Sequence, residues 1–570
     1  MVSLTKLVLL SGSFNDITGQ LPSTLGDLNQ VTMLNLAANK LSGKIPVSIG
    51  EIIGLVQLSG NANKLTGSVP SELSKLSSLE IFDLSGNSLH GSVHAGLCDS
   101  MTELSYLLLA TNLLTGTISS NIGLLNTLLV SIDFQSNSFN GSIPESIGSL
   151  SVLSSLYLSN NEFDGSIPTS VYGLSSLSEL SLGYNSLTGV VSNALIELES
   201  LQSLSLPYNK LESTVPNKIF TMSSLQSLVL DGNTLTYLIP DDITSISLTM
   251  LSISDNLLTG PIPSGIYTMT NLVELNFSTN VLTGAIETSI GDLLLLNTLS
   301  FDNNTLLSTI PTSVGLLTDL SVDLSLNNND LTGAIPSALS SLQKLNNIYL
   351  QYNLFSSDIP LQLFSISSLE IIDLSNNFLV GVLPSDISST PLLQSLFLGD
   401  NCITGTIPSA IGAWTQLSVL YINNNMLTSQ LPSEAYALTA MKNLSIGNNE
   451  ITGTISSMLV GMSSLANFNA EYNKLIGTLP TELMDLTSLE SFVIPGNKIG
   501  GTIPSTVGKL VSIAELNLGA NGFTGGIPSA ITRCSALKVL VLSVNLLTGS
   551  IPSLIGNLTN LDVLLLDVNK

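Results

Sequence analysis

Asparagine returns at one phase of a repeating pattern along the whole 570-residue chain, from Asn15 to Asn569, and so regular a recurrence restricts the fold to a stack of near-identical coils. The 24 positions are separated by 23 intervals, nineteen of them 24 residues long, three of 25 and one of 23. Asn39, Asn87, Asn161, Asn209, Asn377, Asn425, Asn473 and Asn521 are members of this ladder. Around each runs the same phrase, clearest at Leu34-x-Leu36-x-x-Asn39-x-Leu41-Ser42-Gly43-x-Ile45-Pro46-x-x-Ile49-Gly50. The Leu-x-Leu alternation predicts a short strand with two side chains turned inward. Beyond it the chain must bend inside the stack, where backbone groups find no water. An Asn side chain has one acceptor and two donors, enough to satisfy groups of its own turn and of its neighbours. A continuous hydrogen-bonded ladder is the expected result.

Of the 22 prolines, 18 stand seven residues after a ladder Asn, where a fixed φ and a missing donor end the strand and send the chain into the back of the coil. Gly stands four residues after the ladder Asn in most turns, usually behind an apolar residue and Thr, as at Gly19 and Gly67, and the expectation there is a bend with no room for a Cβ. Together these residues resemble the plant-type leucine-rich repeat, Leu-x-x-Leu-x-Leu-x-x-Asn-x-Leu-x-Gly-x-Ile-Pro-x-x-Ile-Gly-x-Leu, over essentially the whole chain. The resemblance implies a β-rich α/β solenoid, a horseshoe or superhelix of about 24 turns with a concave parallel β-sheet and short 3-10 or irregular convex segments. It also implies a second short sheet near Leu-x-Gly-x-Ile-Pro and ligand binding along the inner surface. Members of the family include ectodomains of receptor-like kinases and receptor-like proteins, and polygalacturonase-inhibiting proteins.

The period runs through without a linker, a charge block or a low-complexity break, so residues 1–570 read as a single leucine-rich repeat domain. Neither end shows a capping segment or the paired cysteines that flank family caps. The expectation is a fragment of a longer protein, with targeting and effector segments elsewhere. The longest pure Leu run is Leu293 to Leu296, so no direct membrane insertion by this segment is expected, and no signal peptide is visible. With charged residues at 10% and a formal net charge of −26, nucleic acid and anionic membrane surfaces are excluded as partners. A cationic, neutral polar or sugar-like partner is open. The resemblance narrows this to a peptide, protein or glycan on the concave face, with a co-receptor, at the cell surface or outside the cell. Sequons at Asn140, Asn276, Asn303, Asn443 and Asn557 are compatible with a secretory history. Cys98, Cys402 and Cys534 lie too far apart along the stack to pair and read as buried small apolar residues.

Little catalytic chemistry is visible. The two histidines, His90 and His94, fall in the Thr and Pro columns of one turn on the back of the coil, and read as surface substitutions rather than a metal pair. There is no phosphate-binding Gly-rich loop, no Cys-x-x-Cys and no His-Glu-x-x-His; no enzyme, cofactor or metal is expected. Binding is the stronger reading. The residue between the two strand leucines faces outward, and in that column no turn has Lys or Arg. Tyr349, Asp373, Phe397 and Tyr421 are successive in it and predict a stripe roughly 15 Å long, with Tyr352 beside it. Exposed aromatics flanking a carboxylate anchor partners by apolar burial or by stacking on a sugar or a basic side chain. The alternative is that they are good strand residues packing on one another. Asp231, Asp255, Asp302, Asp323, Asp400 and Glu471 share the face, and Tyr184 with Tyr208 makes a second patch.

Three functions are therefore weighed: a non-catalytic recognition module similar to a receptor ectodomain, a secreted soluble inhibitor or ice-binding protein presenting its Thr column, and a structural interaction scaffold.

Overall fold

The computed structural model describes residues 4, 6–125, 128–244, 247–386 and 390–570. The chain forms two compact units, Met1–Leu282 and Thr283–Lys570. Both are built from the same coil. In the first, twelve three-residue strands from Leu9–Ser11 to Glu274–Asn276 belong to a parallel sheet; in the second, twelve more run from Thr298–Ser300 to Val563–Leu565. Successive strands align one full repeat apart, as in Met33↔Gln57, Leu34↔Leu58 and Asn35↔Ser59. A one-residue slip would turn every leucine to solvent, so the apolar pattern fixes this register. The central residue of each strand points inward: Leu204, Leu206 and Leu211 of one turn are all 0% exposed.

The second sheet implied by the family resemblance is present. Short strands after the ladder Asn, such as Lys40–Lys44 and Lys64–Gly67, pair in parallel, seven of them from Thr18–Gln20 to Glu162–Asp164. Most turns then close with a 3-10 segment, for example Val47–Glu51. Pro46 precedes it at φ −65° and ψ 130°, and the Pro46 carbonyl accepts from the Ile49 N–H at 3.1 Å. The proline therefore ends the strand and also opens the 3-10 turn. Where Ser replaces Pro, at Ser119, Ser192 and Ser456, its hydroxyl accepts the N–H two residues on at 3.1–3.2 Å. His94 does likewise, its Nδ1 accepting the Gly96 N–H at 3.1 Å ahead of the short helix Gly96–Ser100. A capping role accounts for that histidine.

The ladder forms as expected. Asn39 Nδ2 donates to Leu36 and Ala37 of its own bend, at 3.2 and 3.1 Å, and to Gly12 of the turn before, at 2.8 Å. Its Oδ1 accepts the Ile17 N–H at 2.9 Å. At Asn15 the side chain bonds, among the described residues, only Gly12 and Ser13 of its own bend.

One local feature goes beyond the sequence reading. The residue just before each of the 24 ladder asparagines has φ between 45° and 70°, whether it is Ala38, Tyr184, Asp255 or Val544. A left-handed non-glycine residue costs roughly 1–2 kcal/mol. The neighbouring coil compensates: the Ala38 N–H donates to Asn61 and the Asn39 N–H to Ala62. The glycine of the bend has two reasons. As expected, there is no room for a Cβ in most turns, since one at Gly67 would meet Lys44 Cγ at 2.9 Å and one at Gly405 would meet Val382 Cγ1 at 2.7 Å. Its φ is also left-handed throughout, which at Gly19, with nothing within 4 Å, is the one reason (φ +93°). Ser213, Tyr237, Ser308 and Ser429 hold the equivalent bend at φ 65–78°.

Cys98 and Cys534 are buried free thiols, and desolvation pushes both up to about 11, as expected of small apolar residues. Cys402, by contrast, is half-buried, because it directly follows a ladder Asn at the edge of the bend.

Candidate functional site

Within each unit the outward residues of the strands share one face of the sheet. Cross-strand registers place Tyr349 opposite Asp373, Asp373 opposite Phe397 and Phe397 opposite Tyr421, so the four form the predicted stripe. Phe397 and Tyr421 meet edge to face, with centroids 5.4 Å apart at 85°. Such pairs contribute about 0.5–1.5 kcal/mol beyond area burial. Tyr421 nevertheless keeps 37% of its surface, and Tyr352, lifted off the sheet by its left-handed backbone, keeps 55%.

Asp373 has a local duty as well. Its Oδ1 accepts both the N–H and the hydroxyl of Ser375, at 3.0 and 2.7 Å. Asn35, Asp83, Asp133, Asn276, Asn469 and Asn517, in the same column of other turns, accept the same N–H two residues on. An Asp or Asn here therefore closes the bend, which the outward-column reading missed. Burial pushes the Asp373 carboxyl above the usual carboxylate range, against the pull of its two bonds from Ser375. Burial also raises the Tyr349 hydroxyl, with Asp323 and Asp373 adding to the effect.

The other acidic residues of the face are mostly engaged. Asp231 Oδ1 accepts from the Ser252 hydroxyl and the Ser254 N–H at 2.7 and 2.6 Å; Asp323 accepts from Asn347 at 2.8 Å and Asp400 from Asn424 at 2.7 Å. Asp302 accepts from Asn303 at 2.6 Å, and Glu471 from Asn448 and Asn469 at 3.4 Å; Asp255 is exposed. Tyr184 and Tyr208 stack at 4.8 Å. The Tyr208 ring in turn lies over Gly232, where a Cβ would meet it at 2.3 Å.

A further aromatic and acidic group lies on the first unit. Tyr157 donates to Glu179, with Asp133 directly across the sheet and exposed Tyr106 on the strand beyond. Desolvation and that bond push Tyr157 up to about 12. Reading only the outward column between the two leucines, which is the last residue of each strand, hid this group, because Tyr106 and Glu179 occupy the strand's first position. Of the sequons, Asn140, Asn303 and Asn557 are exposed, whereas Asn276 and Asn443 are half-buried on strands. In the Thr column, Thr332, Thr404, Thr428 and Thr524 donate to carbonyls of the preceding turn at 2.8–3.2 Å, so those hydroxyls are already engaged.

Residues 151–211 match a family profile described as leucine rich repeat, and a second profile of that description matches 128–150, 247–269, 322–342, 368–390, 392–414 and 536–558. The Arabidopsis receptor kinase HAESA, in complex with the peptide hormone IDA and the co-receptor SERK1, is 30% identical, covering 100% of this chain and 91% of that one with a TM-score of 0.80. The chain belongs to the plant-type leucine-rich repeat family. This leucine-rich repeat chain is also similar to the crystal structure of PEPR1-AtPEP1, at 32% identity over 99% of this chain and 79% of that one, with a TM-score of 0.92. The leucine-rich repeat ectodomain of the plant membrane receptor kinase GASSHO1/SCHENGEN3 from Arabidopsis thaliana, in complex with CASPARIAN STRIP INTEGRITY FACTOR 2, is 29% identical over 100% of this chain and 80% of that one, with a TM-score of 0.70. No curated protein sequence matches the chain.

Proposed function

We propose that this leucine-rich repeat chain is a non-catalytic recognition module of a receptor-like protein, which reads a peptide or protein ligand along its concave sheet face at the cell surface, with a co-receptor completing the complex. One observation carries the reading: Tyr349, Asp373, Phe397 and Tyr421 align on four consecutive strands, with exposed Tyr352 beside them. Of the similar structures, one holds the peptide hormone IDA with the co-receptor SERK1 and another holds CASPARIAN STRIP INTEGRITY FACTOR 2. No Lys or Arg stands in the outward column, and the chain carries −26, so the ligand is expected to present basic and apolar side chains. A rigid preformed face loses little entropy on binding, which favours the use of few anchors.

The test is selection of peptides from a random library on the immobilised chain, followed by affinity measurement on Tyr349→Ala with Tyr421→Ala. The selected peptides should be rich in Lys, Arg and aromatics, and the double variant should lose at least tenfold in affinity, about 1.4 kcal/mol. Both changes lie on the outer sheet face, so the circular dichroism spectrum should not change. Unaltered affinity in the double variant removes the stripe as the site.

A further inference from the structure

Next to Tyr421 the sheet face sinks into a depression of about 350 Å³, within the size range of small-molecule sites. Two rows of outward residues build it. One runs Tyr421, Ser445, Asn469, Val493, Asn517 and the other Asn443, Asn467, Ser491, Glu515, each step being one strand. The stripe beside it is aromatic, but this floor is mainly amide and hydroxyl. Some of those groups are committed. Asn467 Nδ2 donates to Asn443 Oδ1 at 2.6 Å, Asn517 Oδ1 accepts the Gly519 N–H at 3.2 Å and Ser491 donates to Glu515 at 2.9 Å. Among the described residues, Asn443 Nδ2, Asn467 Oδ1 and Asn517 Nδ2 have no protein partner, so two donors and one acceptor point from the floor.

Different ligand chemistries fit this floor unequally. A phosphate, sulfate or uronate would meet Glu471 and Glu515 with no cation lining the depression. A basic side chain, which has donors and no acceptor, could pair with Glu471 or Glu515 but would leave the amide donors of Asn443 and Asn517 unanswered. A neutral sugar fits both the floor and the wall. Its hydroxyls each donate and accept, answering amides that do both and carboxylates that only accept, while its C–H face stacks on a ring such as Tyr421. We infer that the depression between Tyr421 and Asn517 is a subsite for a neutral saccharide, held by Asn443, Asn467 and Asn517 and walled by Tyr421. The inference rests on the sheet face being the ligand-binding surface and adds a second ligand class to it.

The test is titration calorimetry of the chain with cellohexaose and mannohexaose, and with hexagalacturonic acid as the charged control. At least one neutral hexaose should bind saturably at up to millimolar concentration, and the uronate should not. Asn467→Ala with Asn517→Ala should weaken binding about tenfold, the loss of roughly one good hydrogen bond. Asn517→Asp is the second variant, because Asp in this column still closes the bend, as at Asp83 and Asp133, yet offers no donor. It should weaken binding similarly with an unchanged melting temperature. Tyr349→Ala should leave sugar affinity intact, so loss of the peptide site and loss of the sugar site are read separately. Absence of binding by both neutral hexaoses, tighter binding of the uronate, or indifference to both Asn variants would overturn the inference. A glycan found on Asn443 by mass spectrometry would fill the depression itself and would equally overturn it.

Discussion

A ladder asparagine holds two turns at once, and its worth follows from the count of groups it satisfies. Asn233, 7% exposed, donates to Leu206, Leu230 and Asp231 at 3.0–3.1 Å and accepts the Leu211 N–H at 3.0 Å. Asn233→Ala would leave those buried groups without partners, at about 1–3 kcal/mol for a group that water does not reach. The variant should lose about 3 kcal/mol in urea unfolding, and Asn15→Ala, which breaks only own-bend bonds, should lose less than ~1 kcal/mol. Equal losses would mean that the inter-turn bonds contribute nothing. The asparagines were legible because one residue type fills the column. The left-handed residue before each was not, because that column holds Phe14, Ala38, Thr111, Tyr184 and Val544 alike; its conformation is imposed by bonds from the adjoining coil. The closing role of Asp373 was hidden for a similar reason, since Tyr, Ser, Val and Asp all share its column.

Within a turn, the choice between Pro and a hydroxyl at the start of the 3-10 segment is a choice between two ways of ending a strand. Ser456 has φ −73° and ψ 144°, close to the −70° and 144° of Pro480 in the next turn. Its N–H makes no hydrogen bond among the described residues, and Ile455 precedes it just as Ile45 precedes Pro46. Ser456→Pro should therefore leave stability unchanged or raise it by up to ~1 kcal/mol through lower unfolded-state entropy. Ser456→Ala removes the cap to Met458 and should cost about 1 kcal/mol. Urea midpoints separate the two, and a Pro variant less stable than the Ala variant would refute the equivalence. Strand, bend and proline positions were readable from period and spacing. The capping by His94 was not, because a histidine in a proline column signals nothing until its ring is seen against the Gly96 N–H.

Across the molecule, charge is the least balanced term. Burial raises Asp133, Asp302, Asp373 and Glu274 above their ordinary values, with Asp83 adding to Asp133 and Asp231 to Glu274. Between the ordinary and the raised values the folded chain holds more protons than the unfolded one. Stability is therefore full below the ordinary carboxylate range and falls as pH rises through the raised values. Relief of the −26 self-repulsion acts in the same direction. The melting temperature should rise by a few degrees from pH 7 to pH 5 in calorimetry, and a fall would show that these carboxylates are held as ions by partners. The repeat itself and the Tyr349 to Tyr421 stripe were visible at this scale because each is periodic in the chain. The amide-lined depression was not, because it takes two columns side by side, and only the registered sheet shows both. The most direct measurement is hydroxyl-radical footprinting of the chain with and without a library-selected peptide. Tyr352, Phe397 and Tyr421 should lose reactivity while exposed Tyr184, Tyr237 and Tyr472 keep theirs. Protection at Tyr184 and Tyr208 instead, or at none of these rings, would contradict recognition by the stripe.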